Sequence, residues 1–160
     1  MDGNYQMNKK INKNMYPQII LSDTKIEKII LKRKMLYIIF AKDGFSVKNA
    51  KDNHYYRTKT SRILYTDFNC EEIIIKLIKK YKILGKTVDI QKDIEISDFI
   101  RNINSKKWSC EIVKEFYSEN GCFYILRLKD GGNKYWCYMD LLSKDIIYIW
   151  KEEIRDAKFD

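Results

Sequence analysis

The chain has 160 residues, 45% of them hydrophobic and 33% charged, with one histidine, one proline and a formal charge of +9. That length suits one domain with its own core and is tight for two, and the apolar share is too high for wholesale disorder. The longest apolar run, Met35 to Ala41, is far shorter than the roughly 20 residues of a membrane-spanning helix, and the amino terminus carries no signal-peptide apolar core, so the expected location is cytoplasmic with no membrane partner.

In chain order, residues 1–14 are polar, basic and aperiodic, which reads as a flexible basic extension. Residues 15–160 read as a single α+β domain. Pro17 opens a short strand-like run ending in turn residues. Over 24–41 the signals conflict. Thr24 and Glu27 have capping-box spacing, and Ile26, Ile29 and Ile30 share a helical face. Met35 to Phe40 is instead rich in β-formers and ends at the turn pair Asp43-Gly44. Two strands joined at Lys32-Arg33-Lys34 are preferred, with helix then strand as the alternative. Residues 48–61 form a polar loop or irregular ribbon, and a strand follows at Arg62 to Phe68.

The sequence predicts a long helix over 69–85. Asn69 with Glu72 forms a capping box, Glu71 and Glu72 sit in the first turn, lysines crowd the last, and Gly85 suits the terminating position. Ile73, Ile74, Leu77, Ile78 and Tyr81 make its buried stripe. An extended segment comes next, then a short helix capped by Ser97 with Phe99, Ile100 and Ile103 on one side. From Trp108 onward the pattern becomes an antiparallel meander of four strands, 109–117, 122–130, 133–141 and 146–151.

In the hairpin turning on Gly131-Gly132 or Asp130-Gly131, Cys122, Tyr124, Leu126 and Leu128 share a face with Tyr135, Cys137, Met139 and Leu141 in either register. That is a core face. A three-residue loop with left-handed Gly121 adds Cys110, Ile112 and Phe116 to it. Cys70, Cys110, Cys122 and Cys137 lack CxxC spacing and are expected to be buried free thiols. The opposite face carries Phe123, Ile125, Arg127 and Lys129 beside Lys134, Trp136, Tyr138 and Asp140. Either the first helix or the amino-terminal half covers it, or it is a binding surface, since interfaces favour such mixtures of aromatic and charged groups.

No Walker, Rossmann, nucleophile-elbow, zincin or EF-hand pattern is present, and the cysteine spacing supplies no evident zinc site. Neither cofactor nor metal is expected. The leading expectation is a non-enzymatic protein-binding module contacting its partner through Phe123, Arg127, Lys134, Trp136 and Tyr138. The chain is rich in Ile, Lys, Asn and Tyr, the residues of A/T-rich codons. Small bacterial or phage proteins of that composition often act by occluding another protein, as immunity proteins and inhibitors of toxins or defence effectors do.

Charge distribution supplies the alternative. Thirteen Lys/Arg face five Asp/Glu over residues 1–60, giving +8, whereas ten face seven over 61–107 and eight face ten over 108–160, giving +3 and −2. A basic amino-terminal half suggests nucleic-acid binding, with Lys32, Arg33, Lys34, Lys48, Lys51, Arg57, Lys59 and Arg62 on phosphates. Codon composition and the preponderance of Lys over Arg argue against specific recognition. A third, weaker reading is a metal-independent ribonuclease using His54 as general base beside Tyr55, Tyr56, Arg57 and Lys59.

Overall fold

The computed structural model describes residues 5–11, 15–143, 145–151 and 153–154. Among them the chain is mostly β, with one helix, and not the α+β domain expected. The strands are β1 (Tyr5–Ile11), β2 (Ile19–Ile20), β3 (Thr24–Lys32), β4 (Met35–Phe40), β5 (Ser46–Lys48), β6 (Tyr55–Thr58), β7 (Ser61–Thr66), β8 (Ile74–Ile83) and β9 (Lys86–Asp93). The helix α1 (Ile96–Asn104) follows, then β10 (Trp108–Tyr117), β11 (Gly121–Asp130), β12 (Asn133–Leu142), β13 (Asp145–Lys151) and β14 (Glu153–Ile154).

A ten-stranded sheet runs β1-β13-β7-β4-β3-β10-β11-β12-β8-β9, and a four-stranded sheet runs β14-β6-β5-β2. Of the expected extension, residues 5–11 form β1 against β13, and residues 1–4 and 12–14 lie outside the described residues. The preferred two strands over 24–41 are present as the β3–β4 hairpin. The expected four-strand meander is three strands long. β13 leaves it and inserts between β1 and β7, which lets Ile146, Tyr148 and Trp150 face the core from the far limb of the sheet.

The sheet folds back on itself. β7 and β11 are four places apart in the order, yet the hydroxyls of Tyr65 and Tyr124 hydrogen-bond to each other in the interior. Buried side chains from both sheets and α1 form one apolar cluster. Phe45, just before β5, packs edge-on against Phe40, Tyr148 and Trp150, with ring centroids 5.7, 6.1 and 5.9 Å away.

The long helix over 69–85 is absent. Asn69 does make cap-like bonds, accepting from the Glu71 N–H with its side chain (3.2 Å) and from the Glu72 N–H with its carbonyl (3.1 Å). The chain then goes straight into β8. β-branched isoleucines favour a pleated, packed surface, and from Lys80 onward polar and apolar residues alternate with period two rather than 3.6. The short helix is present, beginning after Glu95 without a side-chain cap and burying Phe99 and Ile103. It fills a split in the large sheet. β3 and β10 pair only at Ile26↔Cys110, Lys25↔Glu111 and Thr24↔Ile112, and beyond that point α1 lies against both strands.

Two corrections concern the β10–β11 hairpin. The register slips between Ile112 and Lys114, and this bulge swaps the two faces of the rest of β10. Glu115 and Tyr117 therefore take the inward places opposite Tyr124 and Cys122, while Phe116 points outward. Gly121 is not left-handed. Its requirement is a close approach, because an added Cβ would lie 2.3 Å from the carbonyl oxygen of Leu141.

Candidate binding surface

Strands β10, β11, β12 and β8 present one outward face whose composition follows from the register. Phe116, Phe123, Asp140 and Ile74 form one row across the strands. Lys114, Ile125, Tyr138 and Lys76 form the next, and Glu111, Arg127, Trp136 and Ile78 the third. The second row reaches β9 through Lys76, which pairs with Asp93 at 3.4 Å. All five residues expected as partner contacts, Phe123, Arg127, Lys134, Trp136 and Tyr138, lie on this face. The helix that was to cover it does not exist, and Trp136 is 39% exposed.

The two ends of the face differ. At the β10–β11 turn end the rings of Phe116 and Phe123 lie 6.1 Å apart and those of Phe123 and Tyr138 5.7 Å apart. Phe116 and Ile74 are each 50% exposed there. Such a ladder of rigid rings presents large area at little entropic cost. At the β11–β12 turn end is a cavity of about 340 Å³ lined by Arg127, Lys129, Lys134, Tyr135 and Trp136. Arg127 is held by Glu111 through two bonds, 2.8 Å from Nη2 and 3.3 Å from Nε, and this carboxylate raises the guanidinium pKa. Lys129 stands directly opposite Lys134. Nearby, Lys79 Nζ lies 5.5 Å from the centre of the Tyr135 ring.

The residues proposed for a nucleic-acid patch do not converge. Lys32, Arg33 and Lys34 occupy the β3–β4 turn, whereas Arg62 pairs with Ile39 at the other end of that hairpin. Arg57 is turned inward, donating to Thr24 Oγ1 (3.0 Å), the Gly44 carbonyl (3.0 Å) and the Asp23 carbonyl (2.9 Å). Burial lowers its pKa, while Asp23, Asp43 and Glu111 oppose that shift. Lys48 lies over the Tyr55 ring, and Lys51 and Lys59 are exposed on the loops flanking β6.

His54 sits exposed in the turn before β6. Its neighbours turn to other partners: the Tyr55 hydroxyl donates to the Pro17 carbonyl (2.7 Å) and the Tyr56 hydroxyl to Asp52. The bond from Tyr56, aided by the His54 backbone N–H, holds the Asp52 carboxyl below its ordinary range.

Cys110, Cys122 and Cys137 are buried free thiols, and Cys70 is exposed rather than buried. Burial pushes the Cys122 and Cys137 thiols up to about 12 and Cys110 well above its usual value, which keeps all three protonated and poor as nucleophiles at neutral pH. Among the described residues no group of three His, Cys, Asp or Glu is placed to hold a metal ion. No helix there is long and apolar enough to cross a membrane.

The sequence reading missed Phe116, hidden by the bulge, and the β8–β9 ribbon. The alternation Lys80-Tyr81-Lys82-Ile83 before Leu84-Gly85 was the available signal for the ribbon. Comparisons of the chain with protein-family models, curated proteins and solved structures found no match.

Proposed function

We propose that this chain is a non-enzymatic binding protein that recognises another protein through the outer face of β10, β11, β12 and β8. The observation that carries this reading is the open Phe116–Phe123–Tyr138 ladder, continued by half-exposed Trp136, on a rigid sheet. Fixed aromatic anchors ringed by charge are how protein interfaces concentrate affinity. Within this proposal the action is that of an immunity or inhibitor protein, working in the cytoplasm by covering the surface of a toxin or defence effector.

The experiment is affinity capture from host lysate at low and high salt, after nuclease treatment, using the wild-type chain and the double variant Phe123→Glu/Tyr138→Glu. The expected result is one stoichiometric protein retained by the wild type and lost from the variant, with the variant's melting temperature within a few degrees of wild type. A partner retained equally by both would overturn the assignment of this face.

A further inference from the structure

The cationic end of the face raises a different question. Lys129 and Lys134 oppose each other directly on one side of the β11–β12 ladder, an arrangement that repels. Neither makes an ion pair with a carboxylate among the described residues. Two acids on the neighbouring strands have other partners: Glu111 holds Arg127 (2.8 Å), and Asp130 accepts from the Trp108 indole (3.2 Å). On the adjoining strand Lys80 and Lys82 continue the face beyond Ile78, facing Asp89 and Thr87 on β9. The Lys129 and Lys134 ammonium groups thus line a cavity that also exposes the Trp136 ring.

We propose that this corner binds single-stranded nucleic acid, with Lys129, Lys134, Lys80 and Lys82 on its phosphates and a base stacked on Trp136. Lys80 and Lys82, two apart on β8, stand about 7 Å from each other, a spacing that an extended phosphodiester chain follows, whereas Lys129 and Lys134 face each other across the ladder at about 5 Å. Lysines act as point charges suited to sequence-tolerant phosphate contact. An acidic peptide is the poorer occupant, because bidentate carboxylate recognition uses the arginine fork and the fork lining this cavity is already taken by Glu111. The inference does not rest on the protein-partner reading. It shares only Trp136 with the aromatic surface of that reading, and an oligonucleotide is tested alone.

Fluorescence anisotropy of labelled oligothymidylate and oligouridylate of about twelve nucleotides, at about 50 and about 200 mM salt, supplies the test. Lys129→Glu/Lys134→Glu is expected to weaken binding at least tenfold at low salt and to flatten the log–log salt slope by roughly 1.4. Trp136→Ala is expected to weaken it by about 5- to 100-fold, with Trp136→Phe largely restoring it. Lys32→Glu/Lys34→Glu, at the remote β3–β4 turn, should leave it unchanged. Lys129→Gln/Lys134→Gln repeats the key variant without charge reversal, and circular dichroism verifies its fold. Absence of low-salt binding, or binding unmoved by the Lys129/Lys134 variants or lost in the remote control, overturns the proposal. Equal competition by polyglutamate together with indifference to Trp136→Ala would instead assign the corner to an acidic protein segment.

Discussion

At the seam between β3 and α1, Asn104 does what a neighbouring strand does elsewhere. Its side-chain carbonyl accepts from the Ile29 N–H (2.9 Å) and its amide donates to the Ile29 carbonyl (2.8 Å). Asn104→Ala removes both partners of a buried residue's backbone and should cost about 1–3 kcal/mol in urea unfolding. Glu115 illustrates the opposite problem, a carboxylate carried inward by the bulge. It accepts from the Leu21 N–H at 3.0 Å and from the Tyr117 hydroxyl at 2.9 Å. Burial still wins and lifts its pKa above the ordinary 4.5. The folded chain therefore holds this proton more tightly than the unfolded chain, so its stabilising contribution is complete below the ordinary glutamate range and is lost as pH rises through the raised value. The stability of wild type relative to Glu115→Gln should fall as pH rises above the ordinary glutamate range; a difference that stays flat with rising pH would refute the assignment. The faces of Cys110, Cys122 and Cys137 were legible from alternation alone. Glu115 was not, because alternation counted from Cys110 cannot register one extra residue.

The β8–β9 ribbon shows how local signals mislead about elements. Only Ile74 to Ile78 of β8 pair with β12, so from Lys79 onward the ribbon runs on with β9 as its partner. Its register alternates Tyr81↔Val88 on one side with Lys82↔Thr87 on the other. A capping residue, acidic first turn and terminal glycine all occur at 69–85, yet the bonds of Asn69 close a single turn. Helix propensity is a weak prior that tertiary packing overrides, and here the packing partner was β12, with Ile78 paired to Trp136 and Ile74 to Asp140 far along the chain. By contrast, the β10–β11–β12 strands were legible because their pairing is local. At the ribbon tip Leu84 (φ 48°) and Gly85 (φ 76°) make a two-residue turn between Ile83 and Lys86, with both residues left-handed as a type I′ turn requires. Leucine is a poor residue there, and this one is 99% exposed. Leu84→Asn should stabilise the chain by about 0.5–1 kcal/mol, read as a higher thermal midpoint. An unchanged or lower midpoint would mean that the turn relaxes out of the left-handed region.

At the scale of the molecule, the fold depends on a sheet too long to stay open, so its two limbs meet face to face. β13 is the device that closes it. By leaving the carboxyl-terminal meander for a place between β1 and β7, it sets Tyr148 and Trp150 in the far limb. This crossover is what the sequence could not show, since adjacent β-strands in a chain usually pair with each other. Where the limbs meet, Tyr65 from β7 and Tyr124 from β11 share a hydrogen bond with both rings fully buried. Burial raises both phenols well above their usual value, so each stays protonated and one donates while the other accepts. Tyr124→Phe alone strands the Tyr65 hydroxyl without this partner and should cost about 1–3 kcal/mol. Tyr65→Phe should cost a similar amount from the other side. The double variant leaves no orphan at that contact, so its loss should be smaller than the sum of the two, with a coupling energy of about 0.5–3 kcal/mol in a double-mutant cycle from urea melts. Strict additivity would mean that each hydroxyl is satisfied within its own limb. The closure of the sheet would then rest on apolar contact alone, of which Phe45 between Phe40, Tyr148 and Trp150 is the densest example.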